Sequence, residues 1–169
     1  MNDRDIYSDG HGFRPFSPRD SQTMTKPPPQ THRVFVYGTL KRGYSNHGYL
    51  LREAHFAGEA VTPAGYAMLE PSFPVVMHAE QDGMAVAGEL FHVNDATLAK
   101  MDRLEGVRPD GSGIYTREVI DVVEDSHNVK AYIYIGEPRY WLRAGQRIPS
   151  CTRTNERGEL VWPSQERGR

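Results

Sequence analysis

Two features of this sequence carry chemistry: a carboxylate at the end of a helix and a glycine at the end of a strand. The carboxylate lies in Met101-Asp102-Arg103-Leu104-Glu105-Gly106. Asn94 is a natural N-cap, Asp95 suits the positive end of a helix and Gly106 suits its stop, so a helix is expected over 95–105. Leu98 and Met101 mark its inward stripe, and Glu105 falls on the same face because it follows them at helical spacing. Asp102 lies near that stripe, whereas Lys100 and Arg103 can reach water. Burial disfavours a charged carboxylate, and so does the negative C-terminal end of a helix; both raise the pKa. A carboxyl group brought toward neutrality can take up and return a proton at physiological pH, as general acid–base catalysis requires. The competing reading is that Glu105 pairs with an arginine such as Arg117, or frays outward at the last turn.

The glycine lies in Val34-Phe35-Val36-Tyr37-Gly38-Thr39-Leu40-Lys41-Arg42-Gly43, where an apolar run turns abruptly polar. Consecutive β-branched and aromatic residues suit a strand buried on both faces, and Gly38, lacking a Cβ, lets the backbone approach another group closely. Backbone N–H groups after such a strand can hold an anion. Taken alone, the stretch reads more simply as a buried strand followed by an ordinary turn. A proton shuttle and a set of main-chain donors are, however, complementary halves of an acyl-transfer site.

Other elements must bring the two together. Ser45 or Asn46 can cap a short helix to about Ala54 with Leu50, Leu51 and Ala54 inward, and Asn46 is near enough in sequence to brace the glycine loop. Short β-rich runs at about 57–62, 65–70, 73–78 and 84–93 read as a meander, with Gln81-Asp82-Gly83 as a hairpin turn. Residues 107–113 form a loop able to act as a lid or simply to connect. Strands are expected over 115–123 and 129–135, around the polar turn Asp125-Ser126-His127-Asn128. From Gly136 onward, Trp141, Leu142 and Trp162 stand among many charges, which suggests a cover over the sheet and then a loosely held tail. Residues 1–31, with Pro27-Pro28-Pro29 as a stiff spacer, show no period and read as a disordered arm. The organisation expected is thus an arm over 1–31, a domain over 32–140 and a cover and tail over 141–169.

Bulk properties narrow the partners. A chain of 169 residues suits one core, and a formal net charge of −2 with interspersed signs leaves no basic stripe for nucleic acid. A small-molecule partner is expected; oligomeric state is left open. The single cysteine, Cys151, fits a reducing compartment and reads as incidental. Neither a leader pattern nor an apolar run of roughly 20 residues is present, so no membrane contact and a cytoplasmic location are expected. The seven histidines show no paired metal-ligand spacing, which makes a zinc site a poor reading. Gly38 and Gly43 are spaced as in a phosphate loop, but Tyr44-Ser45 follows in place of Lys-Ser/Thr, and no Gly-x-Ser-x-Gly elbow occurs.

Tyr37-Gly38-Thr39-Leu40-Lys41-Arg42-Gly43, Gly88-Glu89-Leu90-Phe91, Met101-Asp102-Arg103-Leu104-Glu105-Gly106 and Tyr115-Thr116-Arg117 together resemble the γ-glutamylcyclotransferase-like family. The resemblance covers roughly residues 33 to 136 and is nearest to the branch of γ-glutamylamine cyclotransferase and its small bacterial relatives. It implies an α+β fold, a compact mixed β-barrel with flanking helices, a pocket at the barrel mouth and no cofactor. It also implies that the loop matching Tyr37, Gly38, Thr39 and Leu40 holds a γ-glutamyl group, with the glutamate matching Glu105 as acid and base. The reaction implied releases 5-oxoproline and a free amine. Tyr115 either borders the pocket or fills the barrel, and Tyr37 reads as a wall whose hydroxyl orients a neighbour. Met101 stands where the family often has leucine. The alternative is a non-catalytic module that binds a small acidic metabolite on the same fold.

Overall fold

The structure, a computed structural model, describes residues 29, 31–143 and 150–162. Most of the expected N-terminal arm and the end of the expected C-terminal tail lie outside the described residues.

Five strands close into a mixed barrel. The first, β1 (His32–Val36), pairs antiparallel with β5 (Ala87–Val93) and meets β7 (His127–Gly136) in parallel at Val34 and Tyr132. The circuit continues from β5 through β2 (His55–Val61) and β6 (Tyr115–Glu124) back to β7. As expected of a strand buried on both faces, β1 divides its side chains between two cores. Val34 and Val36 join Phe91, Leu98 and Met101 in one. Phe35 and Tyr37 join Leu90, Val122 and Ile133 in the other.

The meander expected between residues 57 and 93 is not formed. β2 skips its sequence neighbours to pair with β5, while β3 (Tyr66–Leu69) and β4 (Val75–His78) make a separate two-stranded sheet. Asp82 does adopt a positive φ of 51°, but the turn around it returns the chain to a bridge between Tyr66 and Met84, not to a β4–β5 hairpin. Strand periodicity identifies which segments extend; it does not say which of them pair.

Local signals succeed where one turn carries the instruction. β6 and β7 pair from Tyr115 opposite Gly136 to Glu124 opposite His127, leaving Asp125 and Ser126 as a turn with φ of 44° and 66°. Two positive φ values match the twist of the flanking strands. Helix α2 (Asp95–Glu105) has the expected bounds. Asn94 Oδ1 accepts from Thr97 N at 2.8 Å, and Gly106 ends the helix at φ 64°. Gly106 N donates to Arg103 O and Val107 N to Asp102 O, the paired bonds of a Schellman ending.

Helix α1 (Ser45–Leu50) is shorter than expected, and Tyr44 stands at its N-cap position without a side-chain capping bond. The proposed cap Asn46 is engaged elsewhere. A short α3 (Pro138–Trp141) follows β7 and buries Trp141. Among the described residues, no helix is long and apolar enough to cross a membrane. Residues 150–162 lie in the stretch expected as cover and tail, and they pack on the sheets: Cys151 N donates to Met68 O, while Leu160 bonds Ala85 and Ala87 through its amide and carbonyl. Cys151 and Leu160 are both buried in the second core.

Candidate active site

Glu105 is the last residue of α2, so the Schellman ending that stops the helix also fixes where its side chain starts. Leu98 and Met101, buried on the stripe that Glu105 shares, hold that face against the barrel. Burial pushes the Glu105 carboxyl up to about 7. Among the described residues, no hydrogen-bond or ion-pair partner is found for it.

The competing arginine pairing is not made. Arg117 Nη1 instead donates to Asp102 Oδ2 at 2.5 Å, and Tyr134 Oη donates to Asp102 Oδ1 at 2.8 Å. Asp102, one helical turn before Gly106, thereby ties α2 to β6 and β7. The physical reason is reach: Asp102 is close enough to the inward stripe to meet both strands, and it satisfies the guanidinium before Glu105 can.

The glycine loop is pinned from several sides. Its turn is closed by Lys41 N donating to Gly38 O at 2.9 Å. Asn46 Nδ2 donates to Thr39 Oγ1 at 2.9 Å, which is the bracing expected of that residue, and His47 Nδ1 lies 3.2 Å from Leu40 O. Lys41 Nζ donates to Trp162 O at 2.6 Å, while Arg42 meets Glu89 through its backbone N and Nε. Gly38 itself is needed for a close approach: a Cβ there would lie 2.6 Å from Pro74 Cγ. Among the described residues, the Thr39 and Leu40 amides show no protein acceptor. They therefore remain able to donate to a ligand.

Both features open on one cavity of about 240 Å³. Its lining includes Tyr37, Gly38, Thr39, Leu40, Glu105 and Tyr115, the residues for which the resemblance implies a place in the site. Tyr37 is buried; its hydroxyl donates to Tyr134 O at 2.8 Å and accepts from Val76 N at 3.3 Å. Through these bonds it joins the start of the glycine loop to β7 and β4. Tyr115 borders the cavity, and its ring packs 5.8 Å from that of Trp141. Burial, and next the nearby Glu105, push the Tyr115 phenol well above its ordinary range. Burial, then Tyr115 and Glu105, do the same to Tyr37. Both tyrosines are therefore neutral donors at physiological pH.

Sequence reasoning missed Phe73, Pro74, Ile114 and Tyr134, which also line the cavity. The β-rich run over 73–78 includes Phe73 and Pro74, but β4 starts only at Val75. Pro74 offered the signal, since proline has no N–H to give a ladder. Tyr134 could have been found from the alternation of β7, which sets it on one face with Tyr132.

The chain is similar to known proteins over this same region. The sequence profile of the family described as "Gamma-glutamyl cyclotransferase, AIG2-like" matches residues 34–153. A Methanocaldococcus jannaschii protein provisionally named gamma-glutamylcyclotransferase is 36% identical over 102 residues, 60% of this chain and 81% of that one. Gamma-glutamylaminecyclotransferase of Rattus norvegicus is 36% identical over 80 residues, 43% of this chain and 54% of the rat protein, so only about half of the latter is spanned. The crystal structure of an AIG2-like protein from Mus musculus superposes with a TM-score of 0.56 at 25% identity, covering 81% of this chain and 100% of that one. The matched region contains the glycine loop, the Glu105 helix and the β6–β7 hairpin, and by that match the chain belongs to the gamma-glutamyl cyclotransferase, AIG2-like family.

Proposed function

We propose that the protein converts a γ-glutamyl amine or peptide into 5-oxoproline and a free amine, with Glu105 moving the protons. The observation that carries this reading is the meeting of Glu105, raised to about 7 by burial, with the Gly38–Leu40 loop in one cavity.

The reaction needs no protein nucleophile, because the substrate carries its own. The α-ammonium gives one proton to the Glu105 carboxylate, and the resulting amine attacks the γ-carbonyl carbon to close a five-membered ring. Negative charge develops on the carbonyl oxygen, where the Thr39 and Leu40 amides can donate. Glu105 then passes its proton to the leaving nitrogen as the amide C–N bond breaks. The ring nitrogen keeps one proton and sheds its surplus through the same carboxylate, so the amine departs as an ammonium and Glu105 ends as it began. A carboxyl poised near 7 exchanges protons in both directions at similar cost.

The fold's contribution is chiefly geometric. Ring closure is intramolecular, so holding the α-amine against the γ-carbonyl removes the entropy of encounter, with effective molarities of roughly 10⁵–10⁸ M as the upper range. Asn46 and His47 hold the loop still, while Tyr37 and Asp102 hold the walls. Preorganised donors cost no rearrangement when charge appears.

The test is release of 5-oxoproline from γ-glutamyl amines and peptides by the native protein beside Glu105→Gln. Turnover is expected to fall by about 10²–10⁴-fold in the variant. In the native protein kcat/KM should rise with pH through a limb near 7, as the carboxyl loses its proton. Ligand-induced stabilisation without turnover in either protein would instead identify a binding module.

A further inference from the structure

Of the four stretches that carry the resemblance, Gly88-Glu89-Leu90-Phe91 has no residue lining the cavity. Its carboxylate nevertheless reaches the glycine loop. We infer, resting on the γ-glutamyl reading above, that Glu89 is a positioning residue for the reaction: from behind the loop it fixes the direction of the Thr39 and Leu40 amides.

The loop is two consecutive turns. Lys41 N donates to Gly38 O at 2.9 Å and closes the first, and Tyr44 N donates to Lys41 O at 3.3 Å and closes the second. Such turns leave the N–H groups of their central residues unused. In the first turn these belong to Thr39 and Leu40; Arg42 holds the matching place in the second. Glu89 Oε2 accepts from Arg42 N at 2.8 Å, and Glu89 Oε1 accepts from Arg42 Nε at 3.1 Å. The Lys41 carbonyl and the Arg42 N–H belong to one planar peptide, the one at which the two turns join. Holding it from β5 holds the end of the first turn, and with it the amides between Gly38 and Lys41.

β5 can deliver the carboxylate because a glycine precedes it. A Cβ on Gly88 would lie 2.4 Å from Val36 O and 2.6 Å from Phe35 Cζ, so the strands meet closely just where the loop begins. Glu89 stands opposite Val36, the last residue of β1, and its side chain is only 14% exposed. The barrel alone gives no reason for an acid there. Glu59 of β2 lies directly opposite Glu89 on the other side, and like charges so placed destabilise a ladder. Arg42 offsets that repulsion from the loop, with its Cζ 3.5 Å from the centre of the Phe56 ring. The sheet thus keeps a carboxylate that is unfavourable to it, and both oxygens of that carboxylate serve the loop.

The test compares the native protein with Glu89→Gln and Glu89→Ala in release of 5-oxoproline from a γ-glutamyl amine. Gln keeps an oxygen for the Arg42 N–H; Ala keeps none. In the Ala variant kcat should fall about 10–100-fold at nearly unchanged KM, as a slight misplacement of donors does. The limb near pH 7 should stay where it is, because Glu105 is untouched. The Gln variant should regain most of kcat. Urea midpoints should remain close to native, since removing Glu89 also removes its repulsion with Glu59. Glu89→Leu, nearer in volume, replaces the Ala variant should that one not fold. A readout without turnover comes from the NMR signals of the Thr39 and Leu40 amides, titrated with 5-oxoproline. They should respond to it in the native and Gln proteins, and stand displaced or broadened before any addition in the Ala variant. Native kcat in the Ala variant would overturn the inference and leave the cyclisation intact. So would a fall in kcat matched by an equal loss of folded protein, or a Gln variant as poor as Ala, since the bond to Arg42 N would then not be what holds the loop. If the native protein releases no 5-oxoproline, the cyclisation falls; the amide signals then decide alone, displaced in the Ala variant for the positioning role and unmoved against it.

Discussion

Glu105 is a buried acid whose partner is the cavity, and such a group has a cost. Its folded-state pKa of about 7 lies above the ordinary 4.5, so the folded protein keeps a proton that the unfolded chain has lost over that interval. Stability must therefore fall as pH rises from about 4.5 to about 7, and stay lower above it. Glu105→Gln removes the ionisation but keeps the shape. Urea unfolding should find this variant more stable than the native protein at pH 8, by at most ~3 kcal/mol, with the advantage gone near pH 4. Equal stability at both pH values would mean that water reaches the carboxylate freely. The same residue shows how far spacing can be trusted: its position on the inward stripe is a property of the helix alone. That Arg117 would choose Asp102 instead is not, because the choice depends on where β6 passes.

At the scale of elements, α2 is positioned by its caps and then clamped by one side chain. The Asp102 and Arg117 side chains are each 26% exposed, which places the pair between a surface bridge and a buried one. Truncation to Asp102→Ala removes the acceptor for both Arg117 and Tyr134. Denaturant melts should show a loss of about 1–3 kcal/mol. Turnover should drop as well, since the last turn of α2 carries Glu105; a fall in kcat at nearly unchanged KM is the expected pattern. If KM alone moved, Asp102 would belong to the binding surface and not to the scaffold. The helix itself was legible because Asn94, Asp95 and Gly106 act within a turn of where they stand. Asn46 was legible for half of its role: as a brace it met Thr39, but it is no cap, since α1 starts at Ser45 and leaves Asn46 inside the helix.

Over the whole molecule, the barrel is completed by contacts between parts of the chain far apart in sequence. Residues 150–162 pack on it: Leu160 is 2% exposed, exchanges backbone bonds with Ala85 and Ala87 at the start of β5, and bridges to Thr154 of its own segment. Leu160→Ala should cost about 2–4 kcal/mol in urea unfolding, as core truncations do. A loss well under 1 kcal/mol would show that this segment lies on the fold without supporting it. Through Lys41 and the Trp162 carbonyl the same segment reaches the glycine loop, so its loss should also lower turnover.

What the sequence determined by itself is what a few neighbouring residues can enforce: a strand buried on both faces, the glycine turn after it, a capped helix with an acid on its apolar side, and the Asp125-Ser126 hairpin. Each rests on backbone preference or side-chain period within one or two turns of chain. Tertiary structure alone decided that β2 pairs with β5 and β6, that β1 meets β7 in parallel, that Arg117 serves Asp102, and that Phe73 and Pro74 line one cavity with Glu105. Those outcomes follow from closing a barrel, where each strand's partner is settled by which faces remain to be buried. No local period carries that information.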